Sequence, residues 1–410
     1  MDKVSAFQLR HQPDSAYAWG RAVASLALAT VGGIGLWSCV VVLPPIETEF
    51  GTGRGGASLP YTATMIGFAI GGVSLGRLSD RFGIMVPLML GAVMLSLGFL
   101  LAALAGSYWQ FVLAQAVLVG MLGSSATFGP LVADVSHWFE RQRGIAVAIV
   151  ASGNYLAGAI WPPVLEYAIA NYGWRTAYEL IAGVCILAMP PLVFLLRRRA
   201  PVDVHGSIAA AGRREVPRAP GYLQALLVLA AVSCCVAMSM PQVHIVAYCA
   251  DLGYGPARGA EMLSLMLGMG VLSRLVSGLL ADRIGGLGTL IVGSSLQCLT
   301  LIFYLPFNGL VSLYVVSALF GLSQGGIVPS YALIVRQYFP ARQAGVRVSL
   351  VLMATVIGMA LGGWLSGEIF DWTGSYRAAF LNGIAWNLLN MAVAAWLLWG
   401  NLGGRRAAPV

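Results

Sequence analysis

The 410-residue sequence predicts an all-α membrane protein of twelve transmembrane helices, arranged as two pseudo-symmetric six-helix bundles. Three observations carry this. Hydrophobic residues make up 58% of the chain and charged residues only 10%, against roughly 25% charged in soluble domains. Twelve apolar segments are each long enough to cross a bilayer, which takes about 20 residues. An eight-residue loop recurs at matching places in the two halves.

So little charge cannot cover a water-soluble surface of this size, and the mean hydropathy of +0.80 points the same way. The 51 glycines fit helices that approach one another closely in lipid. The six cysteines (Cys39, Cys185, Cys234, Cys235, Cys249 and Cys298) lie in or beside apolar segments without metal-ligand spacing, and read as small packing residues. No cofactor and no metal are expected.

The apolar segments fall near 22–46, 57–78, 84–105, 108–133, 144–169 and 175–196, then near 222–249, 258–281, 286–307, 309–334, 346–369 and 376–399. No cleavable signal pattern precedes the first, which reads as a retained helix. The expected organisation is an N-terminal bundle over 1–196, a cytoplasmic linker over 197–220 and a C-terminal bundle over 221–410.

Cations set the orientation. With the N-terminus cytoplasmic, Lys3, Arg10, Arg21, Arg77, Arg81, Arg141, Arg143, the run Arg197-Arg198-Arg199, Arg213, Arg214, Arg218, Arg283, Arg336, Arg342, Arg347, Arg405 and Arg406 fall inside. Only Arg54, Arg175, Arg258 and Arg377 fall outside. That asymmetry satisfies the positive-inside rule, predicts both termini on the cytoplasmic side of an inner membrane, and explains the net charge of +8 without nucleic acid. The 197–199 run reads as a topology anchor, with a lipid-headgroup site as the alternative.

The repeat is Gly76-Arg77-Leu78-Ser79-Asp80-Arg81-Phe82-Gly83 after the second segment, and Gly278-Leu279-Leu280-Ala281-Asp282-Arg283-Ile284-Gly285 after the eighth. Two six-helix halves in one orientation imply a pseudo-two-fold axis along the membrane normal. Gly76 and Gly278 read as close-approach positions. Asp80 and Asp282, with Arg81 and Arg283 beside them, read as partners for helix ends or arginines at a cytoplasmic rim.

This Gly-x-Leu-x-Asp-Arg-x-Gly loop resembles the signature loop of the major facilitator superfamily, departing from it in Ile84-Met85, where a basic pair is usual. Within that superfamily the chain looks most like the monocarboxylate and oxalate–formate transporter group. The resemblance rests on Ser152-Gly153, Gly158 and Pro162-Pro163; on Tyr172-Gly173-Trp174-Arg175; on His244 through Tyr248 with Asp251-Leu252-Gly253; and on Gly367 through Asp371 with Thr373-Gly374-Ser375-Tyr376. It rests most on Arg274, four residues before Gly278, where that group places its substrate-binding arginine. The resemblance implies alternating access and a small organic anion, most simply a monocarboxylate, as substrate. Protons, membrane lipids and a monomeric state complete the expected partners.

Arg274 carries the chemistry. An arginine at that depth costs about 2.5–3.5 kcal/mol on the insertion scale and cannot escape by deprotonation. Its planar fork suits a carboxylate; the alternative is a structural arginine bonded to carbonyls or reaching towards the interface. No Asp or Glu occupies the middle third of any expected helix, which argues for an anionic ligand. A symported proton would travel on the substrate carboxylate or on His244, which reads either as a hydrogen-bonded structural residue or as a cavity group. Trp37, Ser124, Ser125, Asn154, Tyr155, Gln324 and Tyr331 fall at cavity depth, where polar groups either meet substrate or hold helices together. A drug–proton antiporter, lacking here its buried carboxylates and helix-5 Gly-Pro motif, is the nearest competitor. A non-transporting sensor would need an output domain. An ATP-driven pump is excluded by the absence of a phosphate-binding Gly-Lys-Ser/Thr loop, Lys3 being the only lysine. An enzyme would need a His/Asp/Glu cluster that is not seen.

The topology is open to direct test. Reporter fusions after Ala200 and after Val410 are both expected to report cytoplasmic, and a periplasmic signal from either would overturn the orientation.

Overall fold

The computed structural model describes residues 14–198, 220–339 and 341–406, and every regular element among them is helical. Eleven helices are long and apolar enough to cross a membrane. Ten are single spans: α1 (Ala16–Val41), α2 (Arg54–Phe82), α3 (Met85–Ala103), α4 (Tyr108–Ser136), α5 (Arg143–Tyr172), α6 (Trp174–Leu195), α7 (Gly221–Asp251), α10 (Leu310–Tyr338), α11 (Gly345–Thr373) and α12 (Tyr376–Trp399). The eleventh, Pro256–Phe303, is interrupted at Gly285 (φ 78°, ψ 169°) and holds two crossings, α8 over 256–284 and α9 over 286–303. Twelve crossings result, as the apolar pattern predicts. Apart from Arg197, Arg198 and Pro220, the expected linker lies outside the described residues.

The chain divides into two compact units, Met1–Gly51 with Leu59–Gly206 and Thr52–Ser58 with Ser207–Val410. Many apolar side chains remain exposed on both, Leu187, Leu279 and Val311 among them. Such helices, apolar on every side, suit a lipid environment in which the backbone satisfies its own hydrogen bonds.

Within the first unit, α1 starts earlier than the apolar pattern suggests. The Ser15 hydroxyl accepts from the Ala18 amide at 3.3 Å and caps the helix. One turn on, Arg21 is buried. Its Nε and Nη2 donate to the two carboxylate oxygens of Asp134 at 2.8 Å each, Nη1 donates to the Leu196 carbonyl at 2.9 Å, and the guanidinium lies 4.7 Å from the Trp138 ring. α1, α4 and the end of α6 are thereby joined through one side chain. Asp14 sits alongside, and its carboxylate accepts from the amides of Glu140, Arg141 and Gln142. At the opposite end of the unit, Glu49 accepts from the Trp174 indole and from Arg175, which also bonds the Ala103 and Ala105 carbonyls.

The recurring loop behaves differently from its sequence reading at one point. A methyl group on Gly76 or on Gly278 would meet no atom within 4 Å, so neither is a close-approach glycine here. The glycine that the loop needs is its last. Gly83 and Gly285 both have positive φ (84° and 78°), turning the chain from α2 into α3 and from α8 into α9. Close approach occurs elsewhere: a methyl on Gly71 would strike the Met121 carbonyl of α4, and one on Gly321 the Met266 carbonyl of α8.

Two outcomes are expected. Gly285→Ala places a side chain in backbone space that glycine alone visits readily, and should cost about 1–3 kcal/mol in thermal unfolding in micelles, whereas Gly278→Ala should be nearly neutral. Arg21→Met strands a buried carboxylate and should cost about 3–5 kcal/mol. The double variant Arg21→Met/Asp134→Leu should recover much of that loss in a double-mutant cycle.

Candidate functional site

In the first unit, three helices become irregular at similar levels. α1 turns at Gly33, between helical stretches Ala16–Gly32 and Ile34–Val41. α4 passes from α-helix into π-helical turns over Ala114–Gly123 and a 3₁₀ turn over Ser124–Thr127. α5 is interrupted between Ala151 and Gly153. Such interruptions free carbonyls that neighbouring side chains satisfy. The Ser124 hydroxyl donates to the Gly32 carbonyl at 2.8 Å, and the Trp161 indole to the Thr30 carbonyl at 2.8 Å.

The residues singled out in this unit are close to these points. The Trp37 indole donates to the backbone carbonyl of Asn154 at 3.0 Å, bringing α1 and α5 together. The Asn154 Oδ1 is buried and has no hydrogen-bond partner. Tyr155 is buried beside it in sequence. Ser125 is buried and donates to Met121 of its own helix at 2.6 Å, at the level where Gly71 of α2 packs.

In the second unit, α10 is the counterpart of α4 and breaks at Gly325–Gly326, between Leu310–Gln324 and Ile327–Tyr338. Ser273 of α8 bridges the break: its hydroxyl donates to the Leu322 carbonyl at 2.6 Å and accepts from the Gly325 amide at 3.1 Å. A methyl on Gly325 would lie 2.6 Å from the Arg274 amide nitrogen, so the glycine lets α10 reach the α8 backbone where Arg274 projects. Arg274 itself is half-buried. Gln324, the residue before the break, is fully buried and accepts at Oε1 from Gln242 of α7 at 2.5 Å, while its Nε2 has no partner.

Two other residues face protein. Tyr331 is fully buried and donates to Asn390 Oδ1 of α12 at 2.9 Å; Asn390 in turn donates to the Ser294 hydroxyl of α9 at 2.7 Å. His244 is fully buried, with Nε2 2.7 Å from the Gly363 carbonyl of α11 and its ring 5.8 Å from that of Tyr376. Its Nδ1 has no hydrogen-bond partner.

The loop residues Asp80, Arg81, Asp282 and Arg283 are all exposed. Neither carboxylate makes an ion pair among the described residues, and Arg81 rests 5.2 Å from the ring of its neighbour Phe82. No cluster of three or more metal-ligating side chains occurs among the described residues.

Sequence reasoning passed over the buried charges. Arg21 counted only as a topology marker and Asp134 only as a helix-end acid, yet they form a sealed pair with side-chain exposures of 0% and 10%. A signal was available: an arginine immediately before the first apolar segment and an acid immediately after the fourth, at ends that fall on the same side. Arg54, counted as an exception to the cation asymmetry, is buried too.

Comparison with known proteins bears on this arrangement. The family model described as Major Facilitator Superfamily matches residues 25–346. An MFS-type transporter of Aspergillus terreus, pytF, is 30% identical over 216 residues, 53% of this chain and 72% of its own length. Monocarboxylate transporter 13 of Bos taurus is 27% identical over 333 residues, 79% of this chain and 75% of its own. The crystal structure of a bacterial homolog of the human lysosomal transporter Spinster superposes with a TM-score of 0.74 at 14% identity, covering 97% of this chain and all of that one.

Proposed function

The chain belongs to the Major Facilitator Superfamily, and from that premise we propose that it carries a small organic anion, most simply a monocarboxylate, across an inner membrane by alternating access, with both termini cytoplasmic. Arg274 carries the reading. It stands 18 residues into α8, about 27 Å along the helix axis from Pro256 at 1.5 Å per residue. A guanidinium at that depth keeps its charge, and its paired N–H groups match the two oxygens of a carboxylate.

Its surroundings support the assignment. The Gly325–Gly326 break brings α10 backbone against α8, and Gln324, immediately before the break, holds a buried amide donor. Neutral donors beside a fixed cation suit one carboxylate with a short polar tail. The similarity to monocarboxylate transporter 13 supports the same substrate class.

In this reading Trp37, Asn154, Tyr155 and Ser125 are further candidates for substrate contact, with Asn154 offering the acceptor Oδ1. His244 and Tyr331 hold helices, since each is fully buried and bonded to a neighbouring helix. Asp80 and Asp282 act at a rim, where partners would come in another state of the cycle.

Purified protein should be stabilised by lactate or pyruvate, by about 2.7 kcal/mol at 100 times the dissociation constant. Arg274→Ala should abolish that shift and lower uptake into proteoliposomes at least tenfold. Arg274→Lys keeps the charge without the planar fork and should fall between. Normal uptake of both acids by Arg274→Ala would refute the assignment. A shift only with larger acids, or export without uptake, would replace the substrate and direction while leaving the anchor in place.

A further inference from the structure

In the first unit, the start of α1 and the end of α6 form a basic edge. The Tyr17 hydroxyl donates to the Leu195 carbonyl at 3.2 Å, and Arg21 Nη1 donates to the Leu196 carbonyl at 2.9 Å. The last carbonyls of a helix are the negative end of its dipole and repel an anion. Two of them are bonded here, which blunts that repulsion beside Arg197 and Arg198.

Tyr17 is also a platform. Its ring lies 5.3 Å from that of Trp138, and the Arg198 guanidinium stands 4.8 Å from the Tyr17 ring. A stacked guanidinium engages the ring with its flat face and keeps its N–H edge for an acceptor. Among the described residues no acceptor takes a hydrogen bond from the Arg197 or Arg198 side chain. Arg347 of the second unit is a contrast: it rests 4.2 Å from the Phe339 ring, but its Nε and Nη2 already bond Gln343.

We propose that Arg197 and Arg198 bind the phosphodiester headgroup of an anionic phospholipid, with Tyr17 positioning Arg198 and the acyl chains lying along α1 and α6. The inference rests on the chain spanning a membrane and not on the substrate class.

Three features favour this occupant. The acids nearby are engaged or outnumbered: Asp134 is paired with Arg21, Asp14 accepts from the amides of residues 140–142, and exposed Glu140 is followed by Arg141 and Arg143. Immediately before the two arginines, Phe194 and Leu195 are exposed, as is Val23 of α1, so an apolar surface for chains adjoins the cationic one for a phosphate. A topology anchor needs positive charge alone. It needs neither a ring beneath the guanidinium nor bonded carbonyls beside it, whereas charge-assisted bonds to a phosphate gain from both.

Native mass spectrometry of the purified protein tests this, with dioleoyl phosphatidylglycerol and dioleoyl phosphatidylcholine supplied in equal amounts. The protein should retain the anionic lipid about tenfold better than the neutral one. Arg197→Gln/Arg198→Gln should weaken that retention about tenfold. Arg336→Gln/Arg347→Gln takes the same charge from the second unit and should leave it unchanged. Equal loss in the two double variants, or equal retention of the two lipids, would overturn the site. Displacement of the lipid by excess inorganic phosphate would overturn the lipid assignment in favour of a free anion. Should loss of the two arginines disturb membrane insertion, Tyr17→Leu keeps every charge and should weaken retention about threefold. Unchanged retention in that variant would overturn the proposal. None of these readouts involves transport, so failure of the substrate assignment leaves them intact.

Discussion

A peptide group in hydrocarbon has no water to bond, so every carbonyl freed by a helix interruption must find a donor within the protein. That constraint organises both units. Where α1 turns, Ser124 donates to the Gly32 carbonyl and Trp161 to that of Thr30. Where α10 breaks, Ser273 bonds both sides of the gap. Between α7 and α11, Ser239 donates to the Met359 carbonyl and the His244 ring bonds that of Gly363. Most polar side chains inside the bundles are thus committed to backbone. The few atoms left over, among them Asn154 Oδ1 and Gln324 Nε2, are where a ligand has something to gain.

The repeat then explains the position of these interruptions. α4 and α10 are counterparts, and each loses regular α-helix in its second half, at Ser124–Thr127 and at Gly325–Gly326. Each also meets its neighbour, α2 or α8, through glycine against backbone. The same contact made twice from different sequences indicates that packing geometry, and not one particular residue, is common to the two halves. Against that shared frame the difference stands out: the α2 position matching Arg274 is Gly72. Only one half carries a cation there, so the fold does not require it.

The fold was legible because its signal is additive. Each apolar segment adds about 20 residues of evidence, and the Asp80-Arg81 and Asp282-Arg283 loops fix the pairing of the halves. The role of individual loop residues was less legible. Gly76 and Gly278 look alike in sequence to Gly83 and Gly285, and only backbone dihedrals separate a helical glycine from one that makes a turn. His244 and Tyr331 could be placed at depth but not aimed, because sequence spacing gives a helical face only to within its own uncertain phase. The buried charges were hidden for another reason. Arg21 and Asp134 are separated by 113 residues, and no local pattern links an acid to an arginine across that distance.

Two buried arginines, Arg21 and Arg54, end in different circumstances, and burial of the partner is what separates them. Arg21 spends Nε, Nη1 and Nη2 on Asp134 and Leu196, and both ends of the pair are shut away from water. Breaking it strands a carboxylate in an apolar interior, so it behaves as a permanent weld. Arg54 is nearly as buried, but Asp251, which accepts from its Nη2 at 3.1 Å, has a side chain 36% exposed, so solvent can take over there. An ion pair with one solvated partner has a small net free energy in either direction. Such a pair adds little to stability, unlike the sealed one.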